Sequence, residues 1–367
     1  MKNRLLILFV VSVCVILPTL SSCEKEFNPR DKYKDITIVY GLVNPVDSVH
    51  YLRIHKAFLG NESIIIMAQN PDSSLYPVED LDVRVYDIDQ NGNSTKFTVR
   101  DTIIKNKESG DFYYPEQRAY YFEKKFEKTS MYGEDFYRCD DTIRIEVENK
   151  KTGKIVYAQT SLVNSFNVKS PMRNMAFDIN PKQNSSVFRW NNAKNGRIYD
   201  VYYTMHYREG NHDKPSSDYV KKTIVWYIGQ YSAPSTGNGS EQTQNFNFNP
   251  GAFYAQIIRD IPYDENVWRT PYDSVTVAIW CGSEDLYYYH NINSPSQDLV
   301  QERPEYTNLK VKIYSEELGD YKEIENEAFG IFSSRIVQYI PLHLSADMTQ
   351  IHLPATDRQF KGVAFQD

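Results

Sequence analysis

Hydrophobic and polar residues alternate with a period of two along most of the chain, the pattern of strands that bury one face. In the first half, such runs occupy residues 36–43, 49–58, 81–86, 96–99, 120–126, 142–147 and 154–162. Turn-forming residues separate the runs, as at Lys151-Thr152-Gly153-Lys154 between the last two. Short strands with regularly spaced turns are typical of a β-sandwich, so we predict a first sandwich domain over residues 35–167.

Alternation weakens around Pro171 and then returns, so we place a domain boundary near residue 167. Later strands are predicted at residues 186–207, with a turn at Asn195-Gly196, and at 219–230, 274–280 and 329–342. Trp190 and the tyrosine-rich run over 197–207 resemble the early strands of a fibronectin type III-like sandwich, which implies a tryptophan packed in the core. The predicted fold class is all-β, with two Ig/fibronectin III-like β-sandwich domains, the second over residues 168–367.

Two short helices are predicted within the second domain. Apolar residues recur at helical spacing over 251–260. Ser283 is a good N-cap for the other helix, which carries residues 286–291 and has acidic residues in its first turn. Residues 61–69 fit either a helical turn or a strand.

The N-terminal pattern differs from the rest of the chain. Lys2 and Arg4 precede an apolar run over residues 5–17, which is too short to span a membrane and is typical of a signal peptide. Leu20-Ser21-Ser22-Cys23 resembles the bacterial lipobox. The resemblance implies that residues 1–22 are removed and that acyl chains on Cys23 hold the protein in a membrane. The alternative is a plain signal peptide with an incidental cysteine.

Residues 23–34 are polar, lack apolar periodicity, and are expected to form a lipidated tether. Glu24 and Glu26 follow the lipid site directly. They resemble the acidic export signal that carries lipoproteins of the Bacteroidetes to the outer face of the outer membrane. This resemblance implies a cell-surface location, while the alternative is an ordinary solvated tether.

The charge balance is acidic, with 41 Lys and Arg against 48 Asp and Glu. Such a surface argues against nucleic acid as a partner and against electrostatic binding to anionic lipid. Aromatic residues are unusually abundant, with 29 Tyr, 18 Phe and 4 Trp. Tyrosine suits half-buried sheet faces and also binding surfaces, so composition alone leaves both uses open.

Four cysteines are present. Cys14 lies in the signal peptide and Cys23 at the lipid site, which leaves Cys139 and Cys281 in different predicted domains. A disulfide requires Cα atoms within about 7 Å, so we expect this pair to be unbridged. No Cys/His spacing fits zinc, and no cofactor is predicted.

Asp87-x-Asp89-x-Asn91-Gly92 matches the first half of an EF-hand calcium loop. Thr98 stands where the loop needs a bidentate glutamate, and Asn-Gly is a common hairpin turn, so we favour the turn. His50 and His55 fall on opposite faces of one strand and form no metal site.

Motifs for acyl transfer, zinc proteolysis or phosphate binding are absent from the sequence. Acids are adjacent at Asp140-Asp141 and Glu284-Asp285, but a glycosidase needs two acids that face each other, which the sequence does not establish. Adjacent acids in a strand point to opposite faces, and a solvated acidic surface is the better interpretation. We therefore predict that the protein is not an enzyme, with a hydrolase of unrecognised site as a remaining alternative.

Two aromatic groups are the candidate ligand-binding residues, since their rings can stack on sugars or hold peptide side chains. The first lies beside the Gly/Ser-rich loop over 231–242, and the second on and just before the second helix. Core packing is the competing interpretation. On the helix, consecutive tyrosines splay around the axis, so at least one of them should be buried against the sheet. The candidates are Trp226, Tyr227, Tyr231, Trp280, Tyr287, Tyr288 and Tyr289.

Three further features occur together: ITIVYGLVN from Ile36, SEDLYYYHNIN from Ser283, and AFGIFSS from Ala328. With the lipobox, they resemble a large group of Bacteroidetes outer-membrane lipoproteins known only as a domain of unknown function. The resemblance implies two β-rich domains and association with TonB-dependent nutrient uptake, and offers no catalytic residues. The leading hypothesis is a non-enzymatic surface lipoprotein that binds a glycan, a peptide or a transport partner. The alternative is a structural or adhesive envelope protein whose domains are spacers.

Overall fold

The structure is a computed structural model that describes residues 36–57, 63–131, 134–177, 185–239, 242–293 and 306–344. The predicted signal peptide, Cys23 with its acyl chains, and the tether with Glu24 and Glu26 lie outside the described residues. None of the helices within the described ranges is long and apolar enough to cross a membrane.

Strands dominate the described residues, which confirms the all-β prediction. The strands of the first half are β1 Thr37–Val43, β2 Val49–Lys56, β3 Leu81–Ile88, β4 Ser94–Phe97, β5 Arg100–Ile104, β6 Gln117–Glu123, β7 Lys128–Met131, β8 Glu134–Tyr137, β9 Thr142–Asn149 and β10 Lys154–Ser161. Those of the second half are β11 Val168–Ser170, β12 Ala176–Phe177, β13 Ser186–Asn191, β14 Ile198–Asn211, β15 Val220–Ser232, β16 Thr243–Phe248, β17 Val267–Gly282, β18 Lys310–Ser315, β19 Asp320–Ile324 and β20 Ala328–Leu344.

The α-helices are short. They are α1 Ile64–Gln69, α2 Pro71–Ser74, α3 Gly251–Asp260 and α4 Glu284–Asn293. Both helices predicted in the second half are therefore confirmed, and the ambiguous segment before Pro71 is helical. Phe253 and Ile257 of α3 are fully buried, as expected from their helical spacing.

One nine-stranded sheet runs through both halves of the chain. Eight strands follow the order β15-β14-β17-β20-β1-β2-β6-β5, and β12 pairs with β20 beyond that path. Strand β1 lies antiparallel to β2 and parallel to β20, with Val39 opposite Gly330. Gly330 has φ of 101°, and a Cβ there would lie 2.1 Å from the carbonyl oxygen of Val39, so only glycine fits this crossing.

A six-stranded sheet, in the order β19-β18-β10-β9-β3-β4, packs on the β1-β2-β6 part of the large sheet. Their inward side chains form an apolar core, with Phe122, Ile143 and Ile145 fully buried at its centre. Inward residues alternate with outward polar ones along β9, so this half is a β-sandwich.

A three-stranded sheet, in the order β11-β13-β16, lies with α3 against the β14, β15, β17 and β20 part of the large sheet. Its core is rich in aromatic rings. Trp190 of β13 is fully buried, as predicted, and contacts Tyr199, Tyr231 and Phe246. Much of the aromatic excess in the composition is thus used for packing.

The two sandwiches share the nine-stranded sheet and do not divide simply in chain order at residue 167. Strands β18 and β19, from the segment assigned to the second domain, join the first sandwich through β10. The early part of β20 likewise pairs with β1. Strands from distant parts of the chain pair in this way because they bury complementary apolar faces. The local alternation of residues does not indicate which strands will pair.

Local turn predictions match the structure. The Asp87–Gly92 segment forms the β3–β4 hairpin, in which Asp89 Oδ1 accepts hydrogen bonds of 2.8 Å from the backbone N–H groups of Asn91 and Asn93. Gly153 has φ of 69° in the turn that joins β9 to β10. Cys139 and Cys281 are both buried and unpaired, as expected.

Candidate functional site

Four aromatic side chains lie on the outer side of the nine-stranded sheet, opposite the core. Across neighbouring strands, Tyr227 pairs with Tyr202, Tyr202 with Ala278, and Ala278 with Tyr339. Trp280 lies on the same side as Ala278, two residues along β17. We call Tyr202, Tyr227, Trp280 and Tyr339 the aromatic face.

Exposure distinguishes the aromatic face from the core beneath it. Tyr227 is 48% exposed and Tyr339 is 51% exposed, while Tyr202 and Trp280 are half-buried. The rings of Tyr202 and Tyr227 lie 5.1 Å apart, and those of Trp280 and Tyr339 lie 6.4 Å apart. From Tyr227 to Tyr339 the row crosses three strand spacings, about 14 Å.

Polar groups accompany the rings. Asp200 Oδ1 accepts hydrogen bonds from Tyr227 Oη at 3.0 Å and from Gln230 Nε2 at 3.1 Å. Arg335 places its guanidinium 4.8 Å from the centre of the Trp280 ring. Asp200 on β14 is the register partner of Trp280 on β17. Arg335 on β20 is the register partner of Gly282, two residues beyond Trp280 on β17. A ligand on the Trp280 ring would therefore meet an anion on one side and a cation on the other.

Partial burial and the Asp200 carboxylate both raise the pKa of Tyr227 above its ordinary value. The phenol consequently stays protonated at all physiological pH values and keeps donating to Asp200. This bond holds the ring in one orientation on the sheet surface.

Trp226, a predicted site residue, is not part of the surface. It is 6% exposed, and its ring contacts Tyr203, Phe248 and Phe253 in the aromatic core. The reason is the period of two along β15, which puts consecutive residues on opposite sides of the sheet. Trp226 therefore does not share a surface with Tyr227, contrary to the prediction that grouped the two residues.

Tyr231 is also turned inward, against the expectation for a candidate binding residue. Regular alternation would put Tyr227 and Tyr231 on the same side. The pairing of β15 with β14 shifts between Tyr227 and Gly229, a β-bulge that reverses the sides beyond it. Tyr231 therefore packs on Trp190 and donates a hydrogen bond to Gln244, and Gln230 faces outward.

The three consecutive tyrosines of α4 take different directions around the helix axis, as helical geometry requires. Tyr287 stacks with the Arg197 guanidinium 4.6 Å from its centre, and Tyr289 contacts Tyr40 of β1 at 6.4 Å. Tyr288 is 41% exposed and contacts Tyr306 at 5.7 Å. The rings of Tyr287 and Tyr288 lie 5.3 Å apart and remain in contact, whereas Tyr289 turns away from them toward β1.

Tyr202, Tyr339, Asp200 and Arg335 were not among the sequence-based candidates. Tyr202 shares the outward side of β14 with Asp200, so the alternation identified for residues 197–207 carried that signal. Tyr339 and Arg335 lie on β20, whose pairing with β17 brings them beside Trp280. No local pattern indicates that pairing.

No group of three or more His, Cys, Asp or Glu side chains within the described ranges is arranged to hold a metal ion. Asp87 of the calcium-like motif contacts Lys124 instead of facing the turn. Asp140 is paired with Lys194, and Asp285 accepts a hydrogen bond from Tyr306 Oη at 2.7 Å. These acids therefore have partners among the described residues.

Comparison with known proteins adds little. No protein-family model matches the chain, and no curated protein matches it. Among solved structures, the crystal structure of CBD12 from CALX1.2 aligns over 82% of this chain and 98% of that chain, with 8% identity and a TM-score of 0.15. A likeness at this level supports no conclusion about function.

Proposed function

We propose that this protein is a non-enzymatic lipoprotein of the outer membrane that binds a nutrient-derived ligand at the cell surface. The ligand lies on the aromatic face, and the protein acts beside a TonB-dependent transporter. The observation that carries the proposal is the row of exposed rings on a sheet whose other side holds a closed aromatic core.

The chemistry of the face favours a glycan. The C–H faces of sugar rings stack on aromatic planes, and sugar hydroxyls need donors and acceptors at the rim. Tyr227, Tyr202 and Tyr339 supply rings at strand intervals, a repeat close to the length of one hexose unit. Asp200 and Gln230 supply an acceptor and a donor at one side. A peptide is the other ligand class that such a surface suits, through its apolar side chains.

Rigidity also supports binding on this surface. The rings stand on regular strands, and Tyr227 is tied to Asp200. A ligand therefore meets side chains that lose little conformational freedom on association, which reduces the entropic cost of binding.

Membrane attachment and the transport partner rest on the N-terminal sequence. The lipobox at Cys23 supports an acyl anchor, and Glu24 and Glu26 support export to the cell surface. Cys23→Ala is expected to abolish acyl labelling and release the protein from membranes. Recovery of a TonB-dependent transporter with the solubilised wild-type protein would support the partnership.

Binding is tested with the full-length protein on glycan and peptide arrays. We expect glycan binding, and Tyr227→Ala and Tyr339→Ala are each expected to weaken it about tenfold through loss of a stacking partner. Tyr314→Ala is the matched control, because Tyr314 is an equally exposed tyrosine on β18 of the other sheet. Absence of binding on both arrays, or equal loss in the Tyr314 variant, would contradict the proposal. Binding to peptides alone would revise the ligand class.

A further inference from the structure

Three ionisable side chains converge at the rim of the first sandwich core. Asp87 follows Leu81, Val83 and Val85 on the inward side of β3. Asp141 precedes Ile143 with the same inward parity before β9, and Lys124 follows Tyr120 and Phe122 at the end of β6. Alternation along the strands turns these charged groups toward the core. Burying a charge costs free energy unless the charge has a partner.

The three groups are in contact. Lys124 Nζ donates to Asp87 Oδ2 and lies 3.5 Å from Asp141 Oδ2. The side chains of Lys124 and Asp87 are only 14% and 16% exposed. Asp87 Oδ1 is buried and has no hydrogen-bond partner among the described residues. The amine and the carboxyl group are therefore held together with few competing contacts.

The surroundings are apolar and aromatic. Lys124 Nζ lies 4.9 Å from the centre of the Phe126 ring and 5.7 Å from that of Phe97. The backbone of Lys124 is fixed by its N–H bond to Ser48 O at 3.1 Å and by a contact of its carbonyl with His50 Nε2 at 3.1 Å. Apolar surroundings disfavour a charged carboxyl group, so they favour the neutral form of Asp87.

Burial raises the pKa of Asp87 above its ordinary value, and Asp141 raises it further, while Lys124 acts in the opposite direction. The protonated, neutral acid is thus more accessible here than for an exposed aspartate. Cys139 Sγ lies 3.4 Å from Asp141 Oδ2, and burial raises the pKa of this thiol to about 12, so it remains a neutral donor that orients Asp141.

We propose that Lys124 and Asp87 condense to an intramolecular isopeptide bond, with Asp141 as the proton-transferring catalytic residue. The bond would join the end of β6 in the nine-stranded sheet to β3 in the six-stranded sheet, and so would lock the first sandwich covalently. This inference is independent of the proposed ligand-binding function.

The reaction is balanced without any other reactant. Proton transfer from the Lys124 ammonium to Asp87 gives an amine beside a carboxylic acid. Nitrogen attacks the Asp87 carboxyl carbon, so a C–N bond forms and the C–O bond of the hydroxyl breaks. Water leaves with that hydroxyl and one amine proton. Asp141 accepts the proton from nitrogen, passes it to the departing oxygen and is regenerated, and nothing is oxidised or reduced.

Peptide mapping of the full-length protein, purified from membranes and digested with trypsin, tests the bond directly. Acylated Lys124 resists trypsin, so residues 119–125 should stay intact and be joined to residues 85–96, with the mass of one water missing. The pair Lys222 and Glu209, also in contact, serves as an internal control that should remain unlinked. Recovery of residues 85–96 only as a free peptide would overturn the proposal.

Variants separate the roles of the three residues. Lys124→Arg keeps the cation but removes the nucleophile, and the linked peptide should disappear. Asp141→Asn keeps the shape but removes the proton carrier, and the linked fraction should fall about tenfold or more. Lys125→Arg changes the neighbouring exposed lysine and should leave the linked peptide intact. Linkage that persists in Asp141→Asn would overturn the catalytic role of Asp141, and linkage that persists in Lys124→Arg would overturn the bond assignment.

Discussion

The two sandwiches each contain a compact charge cluster, and the clusters have opposite composition. In the first, one cation, Lys124, lies between two carboxylates, Asp87 and Asp141. In the second, one carboxylate, Glu209, lies between two cations, Lys222 and Arg269. Both central groups are largely shielded from water, so the ratio of charges is the main difference between them.

The pKa values of the two acids are shifted in opposite directions. Burial raises the pKa of Glu209, but hydrogen bonds from Lys222 and Arg269 outweigh burial and hold the pKa below its ordinary value. For Asp87, burial prevails over the single lysine, and its pKa lies above the ordinary value. Its environment thus stabilises the charged form of Glu209, whereas the environment of Asp87 shifts that acid toward its neutral form.

Replacing the lysine of each cluster should give the largest difference. Lys124→Met removes the cross-link and leaves two carboxylates without a cation, which we expect to cost about 3–5 kcal/mol of unfolding free energy. Lys222→Met removes a cation that is 47% exposed, and should cost about 0–1 kcal/mol. Urea unfolding of both variants measures the difference, and equal losses would remove the contrast between the clusters.

Replacing Arg269 should give an intermediate effect. Its side chain is only 4% exposed, and Arg269→Met leaves Glu209 with Lys222 alone. We expect a loss of about 1–3 kcal/mol, because a shielded carboxylate loses a charged hydrogen-bond donor. The measurement is again urea unfolding, with Arg259→Met as control, since Arg259 is 73% exposed. A loss no larger than in the control would show that Lys222 suffices.

The pH dependence of stability should differ between the wild-type protein and a variant in which Glu209 is replaced by a neutral residue. The pKa of Glu209 is lowered in the folded protein, so its contribution is present above the unfolded pKa and is lost as pH falls through the folded pKa. Glu209→Gln should therefore show a smaller drop in Tm than the wild type between neutral pH and about pH 3. Parallel Tm curves for the two proteins would rule out this contribution.

The smallest expected effect is on the titration of Asp87 itself. Lys124→Arg prevents the proposed cross-link, so Asp87 is free to titrate in that variant. Adding Asp141→Asn to it then removes only the neighbouring carboxylate. The pKa of Asp87 should be lower in this double variant than in Lys124→Arg alone, because a like charge has been removed. Carbon-13 NMR of labelled aspartate measures both values, and an unchanged pKa would show that Asp141 does not contribute to it.

Alternation in the sequence was sufficient to predict most strands and their sides. The division of β2 into two faces matches the structure, in which His50, Leu52 and Ile54 are buried. Period two is a direct consequence of the pleat, so it survives in any fold that buries one side of a strand. The same logic could have identified Asp87 as an inward carboxylate, because it continues the alternation of Leu81, Val83 and Val85.

Features that depend on contact between distant segments of the chain could not be predicted from local alternation. The bulge between Tyr227 and Gly229 reverses the side on which Tyr231 lies, and nothing in the local alternation marks the extra residue. The meeting of Lys124 with Asp87 and Asp141 depends on packing of two sheets. Tyr227 and Trp280 of the aromatic face were candidates from the sequence. Tyr202 and Tyr339 were not, because only the order of the strands in the sheet brings them beside the other two.

The parallel pairing of β1 with β20 has a kinetic consequence. These strands lie near opposite ends of the described chain, yet Thr37 to Val43 pair in register with Ala328 to Ser334. Contacts this distant in sequence slow folding, into the range of about milliseconds to seconds for β-proteins. Until β20 arrives, β1 and β17 each present an unpaired edge to other chains. The nascent molecule is thus most vulnerable to aggregation in the interval before its last described strand closes the sheet.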